Sequence, residues 1–184
     1  AELSTHDDSE LFIDKGYHPD VANYVPTSVE LNKYLNFLIV TGENMSGKST
    51  LLRMIGCNLI RAMIGAPVAA QRMIFAPLEI LTHINMESKL AEGESFYVAS
   101  VKALHEKVAD RIQKNKLTLV NIDELLKGTT SHAEQIAIEQ AYTSWLAQRP
   151  GLKIMTTHNP ELVTMVKEEN LAGVVITHFD ETHH

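Results

Sequence analysis

Short unbroken apolar runs alternate along this chain with stretches in which apolar residues return every three or four positions. Residues 36–41 form the first run, suited to a strand buried on both faces and stopped by Gly42. From 47 to about 64, Leu51, Leu52, Ile55, Leu59, Ile60 and Met63 recur at helical spacing. Residues 67–84 are mixed, and Pro67 and Pro77 break any helix there, which leaves irregular strands. A second helix is predicted over 95–115, with Val98, Val101, Leu104, Val108 and Ile112 along one face. Then come a buried strand at 117–122, a helix at 132–148 ended by Pro150-Gly151, and a strand at 152–157. A short helix at 160–167 and a last strand at 174–178 complete the pattern. Strands separated by long helices join in parallel, so the predicted class is α/β: a largely parallel sheet flanked by helices.

The length of 184 residues suits a single domain, here 11–178, between a polar, frayed or tag-like 1–10 and a tail at 179–184 whose closing histidines read as a tag remnant. The one cysteine, Cys57, cannot form an internal disulfide, which fits a reducing compartment. The longest apolar run, Phe37-Leu38-Ile39-Val40, falls far short of the roughly 20 residues that span a bilayer. With no secretory segment at the start either, the expected setting is intracellular: cytoplasm, nucleoid or nucleus. A net charge of −7 argues against a large phosphate-binding surface within these residues.

The most informative stretch is Gly42-Glu43-Asn44-Met45-Ser46-Gly47-Lys48-Ser49-Thr50, which fits G-x-x-x-x-G-K-[ST] between a predicted strand and a predicted helix. Glycines let a backbone curl until successive N–H groups point at one anion, and the helix N-terminus behind them adds about half a positive charge. Lys48 can then reach the β- and γ-phosphates of ATP, and the Ser49 hydroxyl can complete an Mg²⁺ shell. Chance produces such a match in roughly one chain in a hundred of this length, before the strand–helix context is counted. This is a P-loop.

The strand at 117–122 runs into Asp123 and Glu124. At the C-terminal edge of a parallel sheet these carboxylates would emerge beside the phosphate loop, Asp123 to hold Mg²⁺ and Glu124 to polarise an attacking water. His158 ends the next strand, where its imidazole could approach the γ-phosphate; a lone histidine at a strand end is otherwise structural or solvated.

Together these residues resemble the ATPase domain of the MutS family of DNA mismatch-repair proteins, a branch of the ABC-type ATPases. Residues Thr41 to Thr50 resemble the family's TGPNMxGKST loop, with Asn44-Met45 the most discriminating pair. Ile122-Asp123-Glu124-Leu125 with Gly128-Thr129 resembles IDELxxGT, and Thr157-His158 with Glu161-Leu162 resembles ATHxxEL. His18-Pro19 and Val25-Pro26 resemble the segment leading into the first strand. The resemblance spans about 11–178. It implies Mg²⁺-dependent ATP hydrolysis by a homodimer, or a pair with a MutS-like partner, with composite sites. Mismatched DNA would be held by domains outside this chain, and no membrane is involved. By the same resemblance Asn44 touches the γ-phosphate, Tyr24 stacks on adenine, and Ser95, after Gly93-Glu94, reaches the partner's nucleotide. Tyr24 is equally readable as a surface-anchored tyrosine, and Ser95 also as a helix N-cap. Glu43 replaces the family's proline, placing a carboxylate near the polyphosphate unless it turns outward. Phe96 and Ser100 also depart from the pattern, which weakens the case for the trans site.

Cys57 and the seven methionines read as packing residues. The run Lys102, Lys107, Arg111, Lys114 and Lys116 reads as a solvated helix face, and His105 and His132 lack a zinc-ligand pattern. Two alternatives stay open. One is an ABC-type ATPase of other function, for which no LSGGQ-like signature precedes Asp123. The other is a nucleotide-gated dimerisation module with negligible turnover.

Overall fold

The computed structural model describes residues 1–4, 10–22, 24–84, 94–114, 116–125 and 132–179, with 94–100 and 132 described as helix backbone only. Five strands form a parallel sheet: β4 (Phe37–Gly42), β6 (Glu79–Ile84), β7 (Thr118–Asp123), β8 (Leu152–Thr157) and β9 (Val174–Phe179), in the order β6-β7-β8-β4-β9. A smaller sheet holds β1 (Glu2–Leu3), β2 (Leu11–Gly16), β3 (Thr27–Leu31) and β5 (Arg72–Phe75), in the order β1-β5-β2-β3. In it, β2 runs antiparallel to both β3 and β5. Among the described residues four helices accompany them: α1 (Lys48–Met63), α2 (Glu94–Gln113), α3 (His132–Ala147) and α4 (Pro160–Glu169).

Two apolar layers explain the stacking. Alternate residues of a strand face opposite sides. Val40, Leu119, Leu152 and Ile154 therefore face α1, and Leu51, Leu52, Ile55 and Leu59 of α1 meet them. The same layer takes in Leu11, Ile13, Val29 and Leu31, so α1 is buried between the parallel sheet and the antiparallel one. Phe37, Ile39, Val120, Ile122 and Met155 face the other way, onto Val101, Leu104 and Val108 of α2, Tyr142 and Leu146 of α3, and Leu162 and Val166 of α4. The parallel sheet is thus covered on both faces, as its apolar strands require.

Two predicted details differ. Ile60 and Met63, assigned to the apolar stripe of α1, are 49% and 39% exposed. The buried stripe runs instead through Leu51, Leu52, Met54, Ile55, Asn58, Leu59 and Ala62, and Asn58 is held there by donating to the Met54 carbonyl and accepting from Ala69 N–H. The second difference is the antiparallel sheet: β5 and β6 fall within 67–84, where strands are predicted, but β2 and β3, which carry most of that layer, have no predicted counterpart. On the opposite side, Trp145 of α3 stacks on His105 of α2 with ring centroids 4.0 Å apart, and Arg149 lies 5.0 Å from the indole on its own account. Among the described residues, no helix is long and apolar enough to cross a membrane.

Candidate functional site

β4 ends at Gly42, and α1 begins at Lys48. The chain between them turns through backbone conformations that side chains resist: Gly42 has φ 146°, Met45 69° and Gly47 93°. A Cβ at Gly42 would collide with the Phe179 carbonyl oxygen of β9, so only glycine lets the loop leave the sheet there. At Gly47, by contrast, a Cβ would meet nothing within 4 Å. Gly47 occupies the N-cap of α1 and supplies no side-chain cap to its first turn. Ser46 is buried, and its Oγ lacks a hydrogen-bond partner among the described residues.

Lys48 is 5% exposed, and its Nζ donates to the carbonyl oxygens of Gly42 (2.7 Å) and Glu43 (2.6 Å). The ammonium is therefore folded back over the loop. Glu43, Asn44 and Met45 are exposed, Met45 at 94%, so the carboxylate that departs from the family pattern sits on the solvent side. Thr50, in the first turn of α1, is half-buried.

The carboxylate strand β7 is not the immediate neighbour of β4; β8 lies between them. The register sets Asp123 opposite Thr156 on one side of β8, and Val40 opposite Thr156 on the other. Ser49 Oγ nevertheless donates to Asp123 Oδ1 at 2.9 Å, joining residues 74 apart in sequence. Thr156 makes the bridge: its Oγ1 donates to the same Oδ1 at 2.8 Å and accepts from Glu124 N–H at 3.1 Å. Glu124 has φ 49°, a left-handed conformation costing about 1–2 kcal/mol in a residue with a Cβ, and the Thr156 hydroxyl holds that backbone in place. Glu124 Oε1 lies 3.4 Å from His158 Nδ1; the carboxylate side chain is 11% exposed and the imidazole 48%.

Sequence reading missed two residues of this region. One is Thr156. The other is Glu139 of α3, 3% exposed, whose Oε1 accepts from Thr157 Oγ1 (2.9 Å) and whose Oε2 accepts from Asn159 Nδ2 (3.1 Å). Burial pushes its carboxyl above the ordinary range, while those hydrogen bonds and nearby His158 pull it back. Asn159 also caps α4, its Oδ1 accepting from Glu161 N–H at 3.0 Å. A signal for Glu139 existed: it stands three and seven residues before Tyr142 and Leu146, on the apolar stripe of its helix.

Tyr24 shares no described hydrogen bond with the loop or the carboxylates. Its ring packs half-buried against the core around α1, and burial pushes its phenol upward. Ser95 is the second residue of α2, with its side chain outside the described residues, as are Gly128 and Thr129.

The donor set of Ser49 and Asp123 is hydroxyl and carboxylate oxygen, which suits a hard cation. Among the described residues no three His, Cys, Asp or Glu side chains gather as a metal cage.

The sequence model of the MutS domain V family matches residues 38–184. The DNA mismatch repair protein MutS of Geobacillus sp. (strain WCH70) is 31% identical over 180 residues, covering 94% of this chain. The chain spans about a fifth of that relative's length, 20%. The match takes in β4 from Leu38 onward, the loop after it, the carboxylate strand and β8 with His158 after it, and on that ground the chain belongs to the MutS domain V family.

Proposed function

We propose that this chain is the ATP-binding and ATP-hydrolysing domain of a MutS-type mismatch-repair protein, of the ABC-ATPase kind, acting inside the cell as one half of a pair with composite sites. The observation that carries the reading is the Ser49–Asp123 hydrogen bond, which brings the end of the G-x-x-x-x-G-K-S loop against the carboxylate of another strand across 74 residues. Loop amides and the N-terminus of α1 would cradle the polyphosphate, with Asn44 contributing from the loop and the Ser46 hydroxyl available as a further donor. Phosphate oxygens would replace the Gly42 and Glu43 carbonyls as partners of the Lys48 ammonium.

Ser49 and Asp123 would hold Mg²⁺, which when bound supplies positive charge to the phosphate oxygens. Glu124 accepts a proton from, and orients, the attacking water; His158 orients the Glu124 carboxylate and senses the γ-phosphate. Ser95 at the start of α2 would close the partner's site, and Tyr24 would meet the adenine. Mismatched DNA would be gripped by other parts of the full-length protein, with nucleotide state biasing that grip.

The test is titration of labelled ATP with Mg²⁺, followed by steady-state phosphate release. Saturable binding with turnover is expected, and Glu124→Gln should keep binding while abolishing release. Absence of saturable binding overturns the proposal, and binding without turnover in the unaltered protein, paired and unpaired, replaces it with a nucleotide-gated dimerisation module.

A further inference from the structure

Glu139 is a buried carboxylate that the reading above does not use. Its two oxygens are both taken, and the donors are the residues on either side of His158: Thr157 Oγ1 at 2.9 Å and Asn159 Nδ2 at 3.1 Å. Each donor is constrained by a second bond. Thr157 Oγ1 accepts from Asn159 N–H at 3.0 Å, and Asn159 Oδ1 accepts from Glu161 N–H at 3.0 Å as the cap of α4. The tripeptide Thr157-His158-Asn159 is thus gripped at both ends by one side chain from α3, while its middle residue points a half-exposed imidazole at Glu124 Oε1. Burying a carboxylate beneath an apolar sheet face costs several kcal/mol unless its oxygens are bonded, so a role in core packing alone would be served better by leucine.

From this geometry we infer that Glu139 is a positioning residue, acting through Thr157 and Asn159 to fix His158 against Glu124. The inference deepens the proposed ATPase reading and rests on it for its kinetic consequence. The residue type matters. Only a carboxylate offers two acceptors to two donors; Asn159 cannot turn its amide around, because its oxygen already caps α4. Glutamine at 139 can still accept from Asn159 Nδ2, but its amide nitrogen cannot accept the Thr157 hydroxyl proton, so one arm of the clamp survives.

The experiment compares wild type, Glu139→Ala, Glu139→Gln, His158→Ala and the double variant Glu139→Ala/His158→Ala, with ATP and Mg²⁺. Glu139→Ala should lower kcat at least tenfold while KM stays within twofold, and Glu139→Gln should fall between it and wild type. The double variant should be no slower than His158→Ala alone, since both changes remove one unit. Multiplicative losses, or an unchanged kcat in Glu139→Ala, overturn the inference. Should Glu139→Ala fail to fold, Glu139→Gln carries the test by its intermediate kcat at unchanged KM.

A second readout needs no turnover: nuclear Overhauser contacts between the His158 ring and the Glu124 methylenes in the nucleotide-free protein. Their weakening in Glu139→Gln supports the inference, and their persistence refutes it. A wild type that releases no phosphate would defeat the ATPase reading while leaving this second result to decide the role of Glu139.

Discussion

Thr156→Val replaces one hydroxyl with a methyl of nearly the same volume, so it tests the bridge from the Asp123 carboxylate to the Glu124 backbone without opening a cavity. Thr156 is fully buried, and its hydroxyl donates to Asp123 Oδ1 and accepts from Glu124 N–H. Losing the bond to the half-exposed Asp123 carboxylate should cost about 1.5 kcal/mol. Leaving the Glu124 N–H without its partner should cost a further ~1.5 kcal/mol, within the usual desolvation penalty. The sum, about 3 kcal/mol, is a large share of the stability of a domain this size and should lower Tm by on the order of 10 °C. Left-handed backbone at Glu124 then has one support fewer, so Mg²⁺-nucleotide binding should weaken as well. Thr156→Ser, which keeps the hydroxyl, should stay within about 1 kcal/mol of wild type on the same scale. Urea unfolding and calorimetry read the stability, and nucleotide titration with and without Mg²⁺ reads the site. If Thr156→Val unfolds with the wild type, the hydroxyl does not tie Asp123 to the Glu124 backbone and the reasoning fails.

Other outcomes follow from named contacts. Gly42→Ala should be clearly more destabilising in urea than Gly47→Ala, by about 1–3 kcal/mol, because only the former drives a Cβ into the Phe179 backbone; equal costs would contradict the loop geometry. Lys153 is fully buried, donates from Nζ to the Arg149 carbonyl at 2.6 Å, and has its pKa pushed down by burial from 10.5 to about 8. Its unfolded form holds the proton between those values while its folded form does not, so its contribution is complete above about 10.5 and is lost as pH falls through 8. Wild-type stability should therefore rise with pH across that window relative to Lys153→Met, by up to about 3 kcal/mol in chemical denaturation; parallel pH profiles would show that the lysine is not desolvated. Ser95→Ala should slow phosphate release without changing ATP affinity per subunit. Turnover that is linear in protein concentration and indifferent to Ser95→Ala would remove the composite site.

The parts legible in the sequence were those encoded locally. The apolar runs of β4, β7 and β8 and the stripe of α2 through Val101, Leu104 and Val108 reappear as the two faces of the parallel sheet. The antiparallel layer escaped because its strands are short and their partners distant. In β2, Lys15 adopts φ 46° and the register with β3 slips between Ile13 and Gly16, which spoils the alternation that identifies a half-buried strand. At the site, the glycine-lysine loop and the Asp-Glu pair announced themselves by spacing. Thr156 did not, since its importance depends on β8 standing between β4 and β7, a sheet order that no local pattern specifies. Glu139 was readable only as an oddity, a charge on an apolar stripe whose partners lie 18 and 20 residues onward.

The single tryptophan gives this domain an optical gauge of its own. Trp145 rides on α3, and the ring beneath it belongs to α2, the helix that starts at Glu94. Any sliding of α2 that accompanies occupancy of the loop would change the overlap of indole and imidazole and so shift the emission. Stopped-flow fluorescence of the unlabelled protein could then time that movement against phosphate release, with His105→Ala as the blank.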